Sequence, residues 1–373
     1  MGAAWKIGRV AGIEIRIHPS WLVIALLVTY SLAVLQFPRE FPGWTPIEYW
    51  VVAGATAILF FASVLAHELS HAVVARRFGL HVRDVTLFIF GGATSLDDEA
   101  ARPRDEALIA VAGPATSILV GGALLGVVAL VSQPQVAALL GWLGFINLVL
   151  GIFNLLPGFP MDGGRMLRAV LWRVRGDRFA ATRKAALVGR LFGYALIGLG
   201  VFMALQPRGL FSGLWLALIG WFLSNAAESA VAQMSVQRSL RGVKVREVMD
   251  ESPPSVSPNE SVAELVAERM LRGEHRSFLV CHDDGGLAGV VTLSDVRRIP
   301  REQWEGARVT DVMTRYTDLA TVGPDDEIED ALKLLGEREV AQLPVIREGR
   351  MPVGMVTRGG ILRMLDTRLK LGV

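Results

Sequence analysis

The sequence predicts an α-helical membrane protein with six transmembrane helices and a short β region at the membrane edge, followed by a soluble α/β tandem repeat. Of the 373 residues, 52% are hydrophobic and only 20% are charged, which exceeds the apolar share of an ordinary soluble domain. The charged residues are concentrated in the last third of the chain, from about Arg238. A membrane part followed by a soluble part is therefore expected.

Six apolar stretches are long enough to cross a membrane. A hydrocarbon core about 30 Å thick is spanned by roughly 20 apolar residues in a helix. The stretches that meet this requirement are 21–37, 49–74, 107–131, 136–155, 185–205 and 210–227. Only a short turn at 132–135 separates the third from the fourth, so these two helices are expected to be antiparallel neighbours.

The placement of Lys and Arg residues indicates how the chain is oriented in the membrane. Basic residues precede the first stretch and cluster after the second and the fourth, whereas the opposite loops carry chiefly Arg39 and Arg208. Loops rich in Lys and Arg remain on the cytoplasmic side. We therefore expect a multi-pass protein of the cell membrane whose N-terminus and soluble repeat are both cytoplasmic.

A stretch of β character follows the second apolar segment. Residues 82–90 are rich in β-branched and aromatic types and are followed by Gly91 and Gly92, a composition typical of a strand. An open strand edge cannot face lipid. The predicted strand must therefore be buried in protein or line a cavity near the membrane surface.

The soluble third of the chain repeats itself at an offset of roughly 65 residues. Residues 245–249 correspond to 309–313, and 289–292 correspond to 354–357. Each repeat has the pattern strand, helix, strand, strand, helix. The expected domains are a membrane domain at 1–235, a first module at 240–300 and a second module at 305–373.

The motif with the strongest chemical meaning is His67-Glu68-x-x-His71 at the end of the second apolar segment. Two His residues four positions apart share one face of a helix and can bind one metal ion. Glu68 lies beside them, where it can take a proton from a water molecule at the metal. Ionisable residues in a membrane helix usually mark function, so we expect a catalytic zinc site here.

A tetrahedral catalytic zinc ion requires a third protein ligand. Asp162 is the best candidate, because it follows the fourth apolar segment on the same side of the membrane as the His pair. Pro157 and Pro160 break the helix before it, and Gly163 with Gly164 would allow a tight turn that points the carboxylate inward. His81, in the loop after the motif, is the alternative third ligand.

The two His residues with Glu68, together with the later Asn154-x-x-Pro157-x-x-x-x-Asp162-Gly stretch, resemble the site-2 protease family of intramembrane metalloproteases. The resemblance covers about residues 9–230 and includes Gly113-Pro114. It implies zinc bound by His67, His71 and Asp162, with Glu68 as general base and acid and Asn154 as a polar group near the scissile bond.

The same resemblance implies a substrate-binding strand at Phe90, Gly91 and Gly92, where a locally unwound substrate pairs with the strand edge. The expected function is hydrolysis of membrane-spanning substrates in regulated intramembrane proteolysis. The expected partners are therefore a transmembrane protein or peptide and the lipid bilayer.

The soluble repeats resemble a tandem pair of cystathionine-β-synthase-type (CBS) domains, which often bind adenine nucleotides and form homodimers. The first repeat retains the family's Gly-h-h-Thr-x-x-Asp pattern with Thr292 and Asp295, whereas Gly360 replaces the Asp in the second. The resemblance implies at most one nucleotide site. A dimerisation or docking module without a nucleotide is the alternative.

Two other classes of function fit the sequence less well. A nucleic-acid-binding protein is not expected, because the formal net charge of +2 is far from a dense basic face. A transporter or channel gated by the CBS pair also fits six crossings and a soluble C-terminal pair. The sequence nevertheless offers a single compact constellation, the His-Glu-x-x-His motif with Asp162, rather than charged residues spread along several helices, and this favours the enzyme over the transporter.

Overall fold

The protein has two compact units in its computed structural model, residues 1–232 and 233–373. The structure describes residues 4–89, 91–96, 99–207, 209–273, 275–347 and 350–371. Each unit is considered by itself below.

Six helices of the described chain are long and apolar enough to cross a membrane, which confirms the six predicted segments. The first, Ser20–Glu40, combines α1 (Ser20–Ser31), a π-helical stretch (Leu32–Gln36) and α2 (Phe37–Glu40). The others are α3 (Pro46–Arg77), α4 (Pro103–Val128), α5 (Pro134–Asn154), α7 (Arg178–Ala204) and α8 (Leu210–Leu240). A shorter helix, α6 (Asp162–Arg175), lies between α5 and α7. Helix α8 continues well beyond residue 227, where the apolar stretch of the sequence ends.

Local sequence explains where the central helix α3 begins. Thr45 is the N-cap, and its hydroxyl accepts a hydrogen bond from the amide of Glu48 while the Glu48 carboxylate accepts one from the Thr45 amide. This reciprocal capping box satisfies two amides that have no partner inside the helix. Pro46 occupies the first helical position, where its missing N–H group has no consequence.

Helices α4 and α5 are antiparallel neighbours, as the short turn between them predicts. A Cβ atom added to Gly121 would lie 2.8 Å from the Gly144 carbonyl oxygen, and one added to Gly151 would lie 3.0 Å from the Pro114 carbonyl oxygen. The first contact is shorter than real Cβ atoms make, and the second is tighter than nine in ten of their contacts. The two backbones approach closely because these positions are glycine, a common device in membrane helix packing.

A four-stranded sheet packs against α3 and has the strand order β1-β2-β3-β4. Strands β1 (Trp5–Val10) and β2 (Ile13–Ile17) form an antiparallel hairpin, β2 pairs with β3 (Val82–Phe88) in parallel, and β3 pairs with β4 (Gly91–Leu96) antiparallel. The strand predicted at 82–90 is confirmed over β3. Strand β4 ends the sheet, and no other described strand pairs with its far edge.

The N-terminal hairpin was not predicted, although its sequence carries a strand pattern. Residues 13–17 alternate strictly between Ile and charged residues, as a half-buried strand does. Ala11 and Gly12 both have positive φ angles, 51° and 77°, which is the conformation of a two-residue hairpin turn. Ile13 is 1% exposed and packs with Ala72 and Ala75 of α3, so the hairpin anchors the sheet to that helix.

The C-terminal unit contains two sheets. The first sheet has the order β5 (Ser255–Val256), β6 (Ser277–Cys281), β7 (Leu287–Thr292) and β8 (Thr314–Arg315), and the second pairs β9 (Gln342–Arg347) with β10 (Met351–Thr357). The accompanying helices are α9 (Val262–Glu264) with a π-helical continuation (Leu265–Met270), α10 (Leu293–Val296), α11 (Val309–Val312), α12 (Ile328–Glu337) and α13 (Arg358–Leu371).

The hydrophobic cores of the two repeats exchange their leading segments. Val243 and Val245 belong to the core that contains Ile328 and Leu343, which lie in the second repeat. Val309 belongs to the core of the first repeat. Backbone hydrogen bonds agree, because the amide of Val245 donates to Asp326 and that of Val309 donates to Glu260. Each hydrophobic core therefore contains residues from both repeats, as sequence similarity defines those repeats.

Candidate metal centre

Helix α3 presents three polar side chains of the sequence motif close to one another. His67 and His71 are four residues apart on the helix, both imidazoles are about 4% exposed, and their ring centroids lie 4.9 Å apart. Glu68 is half-buried beside them. The helical spacing therefore brings the two imidazoles together, as the motif predicts.

Asp162 meets this pair from another helix. Its Oδ2 atom lies 3.2 Å from His67 Nε2 and 3.1 Å from His71 Nε2. Asp162 is the first residue of α6, where the positive end of the helix dipole favours a carboxylate. Within the described chain these three residues form a group whose candidate ligand atoms all lie within 4.8 Å of one another. His81 is not part of that group.

The glycines after Asp162 have a different role from the tight turn expected from the sequence. Gly163 and Gly164 are helical residues of α6, and neither has a positive φ. A Cβ atom on Gly163 would collide with the carbonyl oxygens of Leu155 and Leu156, and one on Gly164 would collide with the backbone of Gly158. The two glycines therefore let the start of α6 lie directly against the loop after α5, and this contact places Asp162.

The hydrogen bonding of His71 fits this group to a metal cation. Its Nδ1 atom lies 2.7 Å from the carbonyl oxygen of Ile109. A carbonyl oxygen can only accept, so Nδ1 carries a proton and a neutral imidazole presents a bare lone pair at Nε2. That lone pair faces the Asp162 carboxylate at 3.1 Å, an arrangement that a shared cation stabilises. Ligand atoms of a tetrahedral zinc site lie about 3.3 Å apart, given Zn–N and Zn–O distances near 2.0–2.2 Å.

Two residues of α4 that the sequence analysis did not assign contact the His pair. Ser117 is 1% exposed, and its Oγ lies 2.9 Å from His67 Nδ1. A Cβ atom added to Gly113 would lie 2.5 Å from His67 Nε2 and would also collide with His71 Nε2. Gly113 was noted only as part of a family resemblance, and its spatial role becomes clear from these contacts.

Strand β4 contacts the carboxylate of the motif. The Thr94 hydroxyl donates to Glu68 Oε2 at 2.9 Å. A Cβ atom on Gly92 would collide with Glu68 Cγ, so the strand lies against this side chain with no room for a larger residue. Thr94 is a further site residue that the sequence analysis missed.

A cavity of about 650 Å³ is lined by His67, Glu68, His71, Thr94 and Asp162. Asn154, Gly91 and Gly92 also line it, whereas Phe90 lies outside the described residues. The side-chain amide of Asn154 donates to the backbone carbonyl oxygen of Leu150 at 3.0 Å. Arg165 lines the cavity one helical turn after Asp162, and the structure gives its guanidinium no hydrogen bond or ion pair within the described part of the chain.

A buried ion pair holds α6 against α4. The Arg168 Nε atom donates to Glu106 Oε1 at 2.6 Å, and Arg168 also lies over the Phe159 ring with its guanidinium carbon 5.3 Å from the centroid. Glu106 is 1% exposed, so removing Arg168 would leave its carboxylate buried without this counter-charge. This pair fixes the helix that begins with Asp162.

The residues predicted for the soluble repeat lie in the C-terminal unit. Thr292 and Asp295 form a capping box at the start of α10, in which the Thr292 hydroxyl donates to Asp295 Oδ2 at 2.7 Å. At the corresponding position of the second repeat, the amide of Gly360 donates to the Thr357 hydroxyl at 3.0 Å. In both repeats the Thr hydroxyl therefore forms a hydrogen bond with the residue three positions later, but only the first repeat has a carboxylate at that position.

Comparisons with known proteins agree with this geometry. The chain matches peptidase family M50 over residues 55–137 and 129–199, and the CBS domain over residues 245–302 and 309–367. A Mycobacterium tuberculosis protein named "Putative zinc metalloprotease Rip3" is 37% identical over 370 residues, which is 98% of this chain and 94% of that protein. A similarly named protein of Synechocystis sp. is 32% identical over 97% of this chain and 95% of its own length.

Among solved structures, the site-2 protease from Methanocaldococcus jannaschii is 28% identical and covers 61% of this chain and 95% of its own, with a TM-score of 0.42. The sequence matches are to peptidases and favour the hydrolase over a CBS-gated transporter or channel. The chain belongs to peptidase family M50 and is a multi-pass membrane zinc metalloprotease of the site-2 protease type with a C-terminal pair of CBS domains.

Proposed function

We propose that the protein cleaves membrane-spanning protein substrates in regulated intramembrane proteolysis, at a zinc ion held by His67, His71 and Asp162. The observation that carries this proposal is the convergence of two imidazoles from α3 and a carboxylate from α6 on one point inside a cavity. Three protein ligands leave a fourth position open, as catalytic zinc sites require.

In the proposed reaction, zinc supplies Lewis acidity towards water and the scissile carbonyl. Glu68 takes the proton from the attacking water and later gives it to the leaving amine. Asn154 donates a hydrogen bond to the substrate backbone or to its developing oxyanion. Arg165 adds a positive charge to the lining of the cavity, which further stabilises negative charge that develops on the carbonyl oxygen.

We also propose that the substrate binds as an extended strand along the free edge of β4, with Phe90, Gly91 and Gly92 as its binding residues. Helical hydrogen bonds shield a peptide carbonyl, so a transmembrane substrate must unwind before it is cut. A strand edge offers backbone groups that compensate for the lost helical bonds. The contacts of Gly92 and Thr94 with Glu68 support this location, because they bring the strand next to the proposed base.

Removing the metal is expected to abolish cleavage reversibly. The full-length protein is purified in detergent, its zinc content is measured by mass spectrometry, and cleavage of a transmembrane test substrate is followed on gels. We expect one zinc ion per chain, loss of cleavage after treatment with a chelator, and recovery when Zn²⁺ is added back. Full activity of the metal-free protein would contradict the proposal.

The orientation of the chain is proposed from its charge distribution. The Lys and Arg residues that flank the helices lie mainly before α1, after α3 and after α5, and such loops stay in the cytoplasm. We therefore place the N-terminus and the CBS pair on the cytoplasmic side of the cell membrane.

We retain the domain assignment 1–235, 240–300 and 305–373, with the exchanged leading segments described above.

The CBS pair is proposed to bind one adenine nucleotide and to form a homodimer. The nucleotide site is assigned to Thr292 and Asp295 of the first repeat, because only this repeat keeps both residues of the motif. In the capping box the two side chains are already adjacent. Gly360 removes the carboxylate from the second repeat, so that repeat is not expected to bind.

Nucleotide binding is expected to raise the thermal stability of the C-terminal unit. A ligand at 100 times its dissociation constant stabilises the state that binds it by about 2.7 kcal/mol. The full-length protein is titrated with AMP, ADP and ATP in calorimetric and thermal-shift experiments. Asp295→Ala is expected to remove the response, and Thr357→Ala, in the second repeat, is the matched control that should keep it. An unchanged transition with all three nucleotides would show that the pair serves only in dimerisation or docking.

A further inference from the structure

Helix α4 supplies none of the three proposed ligands, yet one of its faces lies directly behind two of them. Ser117 contacts His67 Nδ1 at 2.9 Å, and the carbonyl oxygen of Ile109 accepts a hydrogen bond from His71 Nδ1 at 2.7 Å. As the numbering rises along α3 it falls along α4, so the two helices are antiparallel. The second contact of each imidazole therefore comes from the same neighbouring helix.

Both contacts come from a single stripe of residues along α4. Ile109, Gly113 and Ser117 follow one another at intervals of four residues, which places them on one face of a helix. We call these three residues the backing stripe. Its two ends contact the Nδ1 atoms, and its central glycine leaves the space into which both Nε2 atoms project.

The hydroxyl of Ser117 is directed differently from that of its neighbour. Thr116 donates to the carbonyl oxygen of Ala112 in its own helix at 2.9 Å, a common arrangement for hydroxyls in membrane helices. The Ser117 hydroxyl instead contacts His67 Nδ1. Leaving a buried polar group without a hydrogen-bond partner costs free energy. Removing either the His67 imidazole or the Ser117 hydroxyl would therefore deprive the other group of this contact.

The contact also has a chemical consequence for His67. An imidazole that binds a metal through Nε2 usually donates its Nδ1–H to an oxygen atom, which fixes the tautomer and the ring orientation. The Ile109 carbonyl does this for His71 by necessity, because it can only accept. Ser117 Oγ is at the right distance to accept from His67 in the same way.

We propose that Ser117 is the positioning residue of His67, and that the backing stripe of α4 holds both imidazoles with Nε2 directed at the metal. Ser117 touches neither substrate nor the reacting atoms and acts only through His67. The inference rests on the proposed zinc site and adds to it the residue that orients one of its ligands.

The test is the zinc affinity of the full-length protein, measured by competition with a chelating dye. Ser117→Ala is expected to weaken zinc binding by about 10-fold to 100-fold, the range found when such orienting contacts are lost. It should also change the absorption spectrum of the Co²⁺-substituted protein, which reports on ligand geometry. Ser117→Thr keeps the hydroxyl and should restore most of the affinity. Thr116→Ala, on the adjacent position of α4, is the matched control and should bind zinc like the original chain.

The outcomes separate this inference from the function on which it rests. If the unaltered chain binds no zinc, the proposed metal site itself fails. If the unaltered chain binds zinc and Ser117→Ala binds it equally well with an unchanged Co²⁺ spectrum, the positioning role alone is overturned. An equal loss in Thr116→Ala would likewise overturn it, because the effect would then belong to α4 in general.

Discussion

Replacing Glu68 with Gln is expected to abolish proteolysis while leaving zinc bound. The substitution keeps the size and hydrogen-bonding reach of the side chain but removes its ability to take a proton from water. General acid–base catalysis contributes about 10²-fold to 10⁴-fold to a reaction rate, and this residue is proposed to act in both proton transfers. Cleavage of a transmembrane substrate and zinc content are measured on the same purified sample.

Asp162→Ala is the matched comparison for this experiment, because it removes a carboxylate of the same cavity from a different proposed role. Asp162 contacts both Nε2 atoms, whereas Glu68 contacts Thr94 of β4 and is not part of the metal-capable group. We therefore expect Asp162→Ala to lose zinc together with activity. Normal activity in Glu68→Gln would contradict the role of Glu68 in proton transfer. Loss of zinc from Glu68→Gln together with retention of zinc in Asp162→Ala would reverse the two assigned roles.

The predictable part of the site is the part encoded by short-range spacing. His67 and His71 are recognisable because a helix converts a separation of four residues into one face. Asp162 was predicted from its equivalent depth after another apolar segment, and the structure brings it within 3.2 Å of both imidazoles. The six membrane helices were predictable for a similar reason, since their length and apolar composition follow directly from the thickness of the bilayer.

The supporting contacts could not be predicted because they depend on how helices pack. The Ile109 carbonyl has no sequence signature, as every residue carries one. Ser117 and Thr94 are ordinary hydroxyl residues whose role becomes visible only when α4 and β4 are placed beside α3. Gly163 was given a turn because Asp-Gly pairs often form turns, whereas the close approach of the loop after α5 is what requires it.

The exchanged leading segments of the CBS repeats illustrate the same limit. Sequence similarity aligns 245–249 with 309–313 and therefore places each segment at the start of its own repeat. In the structure, Val245 packs in the core of the second repeat and Val309 in that of the first. Similarity identifies equivalent segments, but it does not determine which of two equivalent cores each segment joins.

Gly113→Ala is expected to remove zinc from the protein, although the substitution adds a single methyl group far from any proposed ligand in sequence. That methyl carbon would lie 2.5 Å from His67 Nε2 and would also collide with His71 Nε2, which are the two atoms proposed to bind the metal. The imidazoles must rotate or α4 must move away, and either change breaks the contacts with Ser117 and the Ile109 carbonyl. We expect zinc binding to weaken on the order of 100-fold or more, since losing one such orienting contact already weakens binding by about 10-fold to 100-fold.

The same substitution elsewhere on α4 shows why this result would be specific to the metal centre. Alanine favours a helix over glycine by about 1 kcal/mol, so Gly113→Ala should not unfold α4 by its backbone preference. Gly122 and Gly126 lie on the same helix, and a Cβ atom at either would meet nothing within 4 Å. Gly122→Ala and Gly126→Ala are therefore expected to keep both zinc and activity. If Gly113→Ala behaves like these two controls, α4 does not lie against the imidazoles, and the backing stripe cannot orient them.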